Sequence, residues 1–214
     1  MSFKRSIAAG LILFSAICGA ISSARAETFT IVGFGDSLMA GFGLGPGEGF
    51  TDKLQAALRA KGHDVTVANA GVSGDTTSGG LARLDWSVPD GTKLVILELG
   101  ANDMLRGVSP DIAEKNLDEM LAKLKARKIA ALLAGMRAAP NLGADYQTAF
   151  DAIYPKLAAK YDVPLYPFFL DGVAGESGFQ LEDGLHPNAK GVDRMVERIL
   201  PTVEKAIAAV EGGA

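Results

Sequence analysis

The sequence has only one cysteine and two histidines among its 214 residues. Cys18 lies in an N-terminal segment that we expect to be removed. The mature chain would then hold no disulfide, no thiolate metal site and no cysteine nucleophile. Any chemistry that needs an imidazole base has only His63 and His186 to draw on. We expect neither a metal nor a cofactor.

The sequence also lacks a basic cluster. It has 21 lysines and arginines against 25 aspartates and glutamates. Loss of the first 26 residues would leave 18 basic and 25 acidic side chains, a net charge of −7. An acidic chain of this kind argues against nucleic acid as a partner. The remaining length suits one domain, which we expect over residues 27–214.

The N-terminal segment has the pattern of a signal peptide. Lys4 and Arg5 are followed by an uncharged apolar stretch at residues 7–21 and by the triplet Ala-Arg-Ala at 24–26. The apolar stretch is short for a membrane span of roughly 20 residues. We therefore expect cleavage after residue 26, export to the periplasm or the medium, and no stable membrane insertion afterwards.

Short apolar runs alternate with longer amphipathic stretches along the rest of the chain. The apolar runs predict strands at residues 28–35, 65–70, 94–100, 129–136 and 163–169. The amphipathic stretches predict helices, one kinked or broken by Pro155 and the last interrupted by Pro201. This alternation predicts βαβ units in an α/β fold with a parallel sheet. Active sites of such sheets lie at the carboxyl ends of the strands.

The first predicted strand ends in Gly-Asp-Ser-Leu at 35–38. A serine at a strand-to-helix turn can expose its hydroxyl as a nucleophile. A lone serine in this position is more often a helix N-cap. The tetrapeptide alone leaves both interpretations of Ser37 open.

The two histidines differ in their surroundings. His63 lies in the polar turn Lys-Gly-His-Asp at 61–64, which is typical of a surface loop. His186 lies in Asp-Gly-Leu-His-Pro at 183–187, between the last strand and the last helix. Asp183 can fold back to accept the Nδ1–H of this imidazole, which orients a general base. A helix-capping turn would also explain the aspartate, but not the histidine.

Two further strand ends offer hydrogen-bond donors. The second predicted strand leads into a glycine-rich stretch at 69–76, where a backbone N–H could approach a substrate oxygen. The third leads into Gly-Ala-Asn-Asp at 100–103, where Asn102 could donate its amide to an oxyanion. Such a contact contributes roughly 3–4 kcal/mol. A glycine turn and an Asx turn are the plain alternatives. Four such segments, each after a different strand, together indicate acyl transfer.

The four segments resemble the conserved blocks of the GDSL, or SGNH, hydrolase family, nearest to its bacterial periplasmic thioesterase, lysophospholipase and arylesterase branch. The resemblance covers nearly all of the mature chain. Further matching segments are Ser-Gly-Asp-Thr at 73–76, Gly-Leu-Ala-Arg-Leu at 80–84, Ala-Ile-Tyr-Pro-Lys-Leu at 152–157 and Val-Pro-Leu-Tyr-Pro-Phe-Phe at 163–169. Ala101 is a small departure, because relatives often have glycine there.

The resemblance implies a flavodoxin-like three-layer α/β/α sandwich around a five-stranded parallel sheet. It implies Ser37 as nucleophile, His186 as base and Asp183 as the residue that orients it. The backbone N–H groups of Ser37 and Gly74 and the side-chain amide of Asn102 would form the oxyanion hole. We expect a monomer that hydrolyses small-molecule acyl esters or thioesters of any chain length, with lysophospholipids among the candidate substrates.

Other functions on a similar fold fit less well or stay open. Met39 excludes the Gly-x-Ser-x-Gly turn of ordinary α/β-hydrolases. Leu38 stands where a dinucleotide-binding turn needs its third glycine. A carbohydrate deacetylase, or a non-catalytic lipid- or glycan-binding protein, remains open. The loops Met104–Ser109 and Arg137–Tyr146 are expected to wall the acyl pocket and to set chain-length preference.

Overall fold

The computed structural model describes residues 28–213. The expected signal peptide and Cys18 lie outside these residues. Within them, no helix has the length and apolar character needed to cross a membrane.

Five parallel strands form a single sheet in the order β2-β1-β3-β4-β5. This is the flavodoxin-like order, in which ligands bind beside the first strand at the carboxyl edge of the sheet. The strands are β1 (Phe29–Gly35), β2 (Val65–Gly71), β3 (Leu94–Glu98), β4 (Ala130–Ala134) and β5 (Leu165–Tyr166). All five predicted strands are confirmed. The last three are shorter than predicted, because the chain leaves the ladder before each apolar run ends.

Helices cover the sheet in two groups and make the fold a three-layer sandwich. In one group α2 and α8 pack together, and in the other α5 packs between α3 and α7. The helices are α1 (Ser37–Ala40), α2 (Phe50–Ala60), α3 (Thr77–Ser87), α4 (Ala101–Leu105), α5 (Pro110–Ala126), α6 (Ala144–Asp151), α7 (Ile153–Tyr161) and α8 (Ala189–Glu211), with a 3₁₀ turn at Pro140–Leu142.

The two prolines behave differently from each other. The helix break predicted near Pro155 is confirmed, since α6 ends at Asp151 and α7 begins at Ile153. The predicted interruption at Pro201 is wrong, because α8 runs through it. Its apolar face is buried on both sides of the proline, at Ile199 and Val203. That packing offsets the one backbone hydrogen bond that proline removes.

The central strand β3 is buried along its whole length. Four of its residues, Leu94 to Leu97, are apolar, as expected for a parallel strand covered on both faces. The fifth, Glu98, is also fully buried. This carboxyl group lies at the carboxyl edge of the sheet, where the predicted site residues meet.

Candidate active site

The predicted nucleophile lies on the turn that follows β1. Asp36 is the N-cap of the short helix α1, and its Oδ1 accepts the backbone N–H of Leu38 at 3.0 Å. Ser37 is the first residue of that helix and is partly exposed. Since Asp36 caps the helix, the interpretation of Ser37 as a mere N-cap is wrong. Its hydroxyl is free for another role.

Ser37, His186 and Asp183 form a continuous hydrogen-bonded chain. The Nε2 atom of His186 lies 2.9 Å from the Ser37 Oγ, across 149 residues of sequence. Its Nδ1 atom lies 2.6 Å from Oδ2 of Asp183. The structure therefore brings together all three residues that the sequence patterns singled out for nucleophilic chemistry.

The carboxylate of Asp183 is held in its ionised form. Its Oδ1 accepts the backbone N–H groups of His186 at 3.0 Å and of Leu185 at 2.9 Å. These backbone bonds, together with the His186 side chain, lower the pKa of Asp183 to about 2. The Asp183 side chain that faces the imidazole is therefore ionised at neutral pH.

The aromatic ring of Phe42 covers the imidazole of His186. The two ring centroids are 4.5 Å apart and tilted by 36°. Phe42 is half exposed and lies at the mouth of the pocket that contains Ser37. The sequence patterns did not single out this residue, because contact with His186 depends on two distant loops. The other histidine, His63, lies on a surface turn as predicted, 3.4 Å from Oε1 of Glu204.

The predicted oxyanion donors line the same pocket as Ser37. Gly74 has a φ of +82°, a conformation that favours glycine. Its carbonyl accepts a hydrogen bond from Nη2 of Arg106 at 2.7 Å. The Nδ2 atom of Asn102 donates to Oδ2 of Asp36 at 2.9 Å. That bond uses one of the two amide hydrogens of Asn102 and sets the orientation of the other.

Two buried carboxyl groups lie beneath the nucleophile turn. Burial is the main cause that raises the pKa of Asp36 to about 6, against the opposing effect of its two hydrogen bonds. Burial, with the charge of Asp36 beside it, raises the pKa of Glu98 well above its usual range. The Oε2 atom of Glu98 accepts the backbone N–H of Asp36 at 3.3 Å. Neither the contact of Asp36 with Asn102 nor the position of Glu98 was predicted.

A buried arginine holds the ends of two strands together. Arg83 of α3 donates to the carbonyls of Gly35 and Ala70 at 2.8 Å each, and to Oδ2 of Asp75 at 2.6 Å. Its guanidinium lies 4.0 Å above the ring centroid of Phe34. Arg83 therefore fixes the loop of Gly74 relative to the turn of Ser37. The sequence signal that could have revealed this structural role of Arg83 is a charged residue on the buried face of a helix.

A second buried contact fixes the start of α4. The carboxylate of Asp103 accepts the backbone N–H of Thr77 at 2.8 Å and its hydroxyl at 2.6 Å. This bond ties the helix that carries Asn102 to the first turn of α3. The donors of the predicted oxyanion hole thus belong to loops held by internal polar contacts.

The pocket beside Ser37 has a volume of about 240 Å³. Its walls are mainly apolar, and the apolar lining residues are Leu38, Phe42, Ala101, Met104, Leu105, Met136, Leu170 and Leu185. Of the two loops expected to wall it, the one starting at Met104 contributes two residues. The prediction for Arg137–Tyr146 is wrong. None of its residues lines the pocket. Ala138 donates its N–H to Oδ1 of Asp151, and Ala139 donates its N–H to Sδ of Met104, so the loop packs behind that pocket residue.

A larger groove of about 880 Å³ lies at the opposite, amino edge of the sheet. None of the predicted site residues lines it, so we assign the chemistry to the smaller pocket. Within residues 28–213, no cluster of three or more histidine, cysteine, aspartate or glutamate side chains is arranged to hold a metal ion.

Comparison with known proteins agrees with this geometry. Residues 34–194 match the GDSL-like Lipase/Acylhydrolase family. Esterase TesA of Pseudomonas aeruginosa is 41% identical over 182 residues, covering 85% of this chain and 90% of that protein. Thioesterase 1/protease 1/lysophospholipase L1 of Escherichia coli (strain K12) is 38% identical over 186 residues, covering 85% and 87%.

The solved structures include a similar fold at higher identity. AlinE4, an SGNH-hydrolase family esterase, is 50% identical to this chain, with a TM-score of 0.72 over 86% of this chain and 98% of that one. A family match over most of the sequence and relatives of this identity leave no ambiguity about ancestry. The chain belongs to the GDSL-like lipase/acylhydrolase family, the SGNH hydrolases, and is a serine hydrolase of ester bonds.

Proposed function

We propose that the protein is an exported esterase that hydrolyses acyl esters and thioesters, with lysophospholipids among its substrates, through a Ser37–His186–Asp183 triad. The observation that supports this most directly is the chain of hydrogen bonds from Asp183 through the imidazole to the serine, at 2.6 and 2.9 Å. These are the contacts that a nucleophile, its base and the group orienting that base require.

In the first half of the proposed reaction, Ser37 Oγ attacks the acyl carbonyl while His186 Nε2 takes its proton. The Asp183 carboxylate faces the Nδ1–H and stabilises the imidazolium that forms. The tetrahedral oxyanion is held by the backbone N–H groups of Ser37 and Gly74 and by the second amide hydrogen of Asn102. The leaving alcohol or thiol then takes the proton from His186.

In the second half, water attacks the acyl-enzyme along the same route. His186 removes a proton from the water, and the oxyanion hole holds the second tetrahedral intermediate. Collapse of that intermediate returns the proton to Ser37 and releases the carboxylic acid.

The walls of the pocket favour an acyl chain over a sugar. Most lining residues beside Ser37 are apolar, and three large apolar residues of the lining are exposed: Phe42, Leu105 and Leu185. Recognition of a carbohydrate would need several polar side chains in the wall. The related proteins of P. aeruginosa and E. coli are named for esterase, thioesterase and lysophospholipase activities. The carbohydrate deacetylase alternative therefore has less support.

The N-terminal sequence supports export. Residues 1–26 have the charge, apolar stretch and cleavage triplet of a signal peptide. We propose that the working form is the single domain 27–214, acting as a monomer. The intact mass of protein recovered after expression of the full sequence tests the cleavage, since removal of 26 residues is a mass change that cannot be mistaken.

The experiment that tests the activity compares wild type with Ser37→Ala. The substrates are p-nitrophenyl esters from acetate to palmitate, an acyl-CoA series and a lysophospholipid. We expect the variant to lose about 10⁴–10⁶-fold in kcat, because it has no nucleophile. Ser73→Ala is the matched control, since Ser73 lines the same pocket, and it should stay within a few-fold of wild type.

Two outcomes would contradict the proposal. A folded Ser37→Ala enzyme with normal turnover would remove Ser37 as nucleophile. A folded wild-type enzyme inactive on every substrate would favour the non-catalytic binding protein.

A further inference from the structure

Glu98 is a fully buried carboxyl near the pocket to which the proposed reaction gives no role. It is the last residue of β3, with none of its surface exposed. Its Oε2 atom accepts the backbone N–H of Asp36 at 3.3 Å, and its Oε1 atom has no hydrogen-bond partner among the described residues. Gly35 permits this approach, because a Cβ at that position would collide with the Glu98 carboxylate.

Among the described residues no cation pairs with Glu98 or lowers its pKa. Arg83 of α3, which reaches the carbonyl of the neighbouring Gly35, is committed to Asp75 and to the carbonyls of Gly35 and Ala70. An ionised Glu98 would therefore be a buried charge without a counter-ion, which is costly in a protein interior.

The other titratable groups around this carboxyl pair add negative charge or are already engaged. Tyr154 of α7 donates its hydroxyl to the carbonyl of Leu99 at 3.0 Å. Asp103 of α4 is bound to Thr77. His186 is engaged with Asp183 and Ser37, and it lowers the pKa of Asp36.

The two buried carboxyl groups have unequal hydrogen bonding. Asp36 accepts two bonds, from the Leu38 backbone at 3.0 Å and from Asn102 at 2.9 Å. Glu98 accepts one longer bond. A carboxylate is stabilised by donors, so the negative charge belongs on Asp36 and the proton on Glu98.

We propose that Glu98 is a positioning residue that keeps its proton in the folded enzyme and accepts the Asp36 backbone N–H, so that Asp36 alone carries the charge that orients Asn102. The inference deepens the proposed function, since it rests on Asn102 as an oxyanion donor. The pKa of Glu98, raised well above its usual range by burial, agrees with it, as does the lower pKa of about 6 at Asp36.

The first test measures proton binding without measuring activity. A group that keeps its proton only when folded makes folding less favourable as pH rises above its unfolded pKa of about 4.3. Glu98→Gln removes that dependence. The folding equilibrium constant of Glu98→Gln relative to wild type should therefore increase about tenfold per pH unit between pH 5 and 7, measured by urea unfolding.

A control separates this effect from ordinary loss of packing. Ile96→Val changes the same strand two residues earlier, at a fully buried position with no charge. Its stability relative to wild type should not change with pH. A flat pH dependence for Glu98→Gln as well would show that Glu98 is ionised in the folded enzyme and would overturn the proposal.

The second test concerns positioning. Glu98→Leu cannot accept the Asp36 N–H, and we expect kcat on a p-nitrophenyl ester to fall about tenfold with little change in KM. Glu98→Gln can accept it and should restore most of kcat at pH 7. Equal kcat values for Glu98→Leu and wild type would refute the positioning role. If Glu98→Leu does not fold, the unfolding test of Glu98→Gln still decides the protonation state.

The two proposals can fail separately. An active Ser37→Ala variant would refute the triad and leave the pH-dependent stability of Glu98→Gln intact. A flat stability profile would refute the proton on Glu98 and leave the triad intact.

Discussion

Ser37 lies between one exposed carboxyl group and two buried ones. Above it, Asp183 belongs to an exposed loop and accepts two backbone N–H groups, which lower its pKa to about 2. Below it, Asp36 and Glu98 are fully buried, and burial raises both of their pKa values. The pKa of a carboxyl group is therefore lowered on one side of Ser37 and raised on the other.

The difference matches the charges that the proposed reaction creates. A positive charge forms on the imidazole of His186, and the ionised Asp183 faces it. A negative charge forms at the oxyanion, on the side where Asp36 orients the amide of Asn102. If Asp36 and Glu98 were both ionised, their charges would oppose the oxyanion, whereas one ionised carboxylate is sufficient to orient the amide.

The largest effect is expected when the negative charge of Asp183 is removed. Asp183→Asn keeps the shape of the side chain but cannot hold the imidazole in the required tautomer. We expect kcat/KM to fall about 10³–10⁴-fold. Asp171→Asn is the control, because Asp171 is also an exposed aspartate and pairs with Arg198 at 2.6 Å. Steady-state kinetics measure both, and a loss below tenfold for Asp183→Asn would place the charge requirement elsewhere.

A smaller effect is expected when the negative charge of Asp36 is removed. Asp36→Asn can keep only part of the hydrogen bonding to Leu38 and Asn102, and we expect kcat to fall about 10- to 100-fold with KM little changed. Because Asp36 acts through Asn102, the two substitutions should not be additive. In an Asn102→Ala background, Asp36→Asn should cost little more. A full additional loss in the double variant would show that Asp36 acts independently.

The smallest effects, in stability, should have opposite signs on the two sides. A lowered pKa means that Asp183 stabilises the fold above its unfolded value of 3.8 and loses that contribution as pH falls towards 2. The stability deficit of Asp183→Asn should therefore shrink below pH 4. A raised pKa means that Asp36 opposes folding increasingly between pH 3.8 and about 6. The stability of Asp36→Asn relative to wild type should increase across that window.

Urea unfolding midpoints from pH 2 to 7 measure both trends in one series. Parallel profiles for Asp183→Asn and Asp36→Asn would mean that the pKa values of the two carboxyls are shifted in the same direction, which would contradict the difference between the two sides of Ser37.

The strands and the candidate site residues could be predicted from the sequence because each depends on a local pattern. The apolar runs predicted all five strands. The residue types after four of them indicated Ser37, Asn102, the Asp183–His186 pair and a glycine-rich donor loop, and the family resemblance singled out Gly74 within that loop. The prediction at Pro201 failed because the long buried face of α8 outweighs one missing hydrogen bond. The prediction for Arg137–Tyr146 failed because the position of a loop depends on its tertiary contacts. Here the bonds of Ala138 to Asp151 and of Ala139 to Met104 hold the loop behind the pocket wall.

By itself, the sequence determined which chemical groups exist and on which strand ends they stand, since hydrophobic period and turn residues act over a few positions. Only the tertiary structure decided their state. The contact of Asn102 with Asp36 spans 66 residues, and that of Asp36 with Glu98 spans 62. The ring contact of Phe42 with His186 joins two loops that are far apart in the sequence. A pKa depends on hydration and on neighbours at a few ångströms, and those neighbours are chosen by folding rather than by sequence proximity.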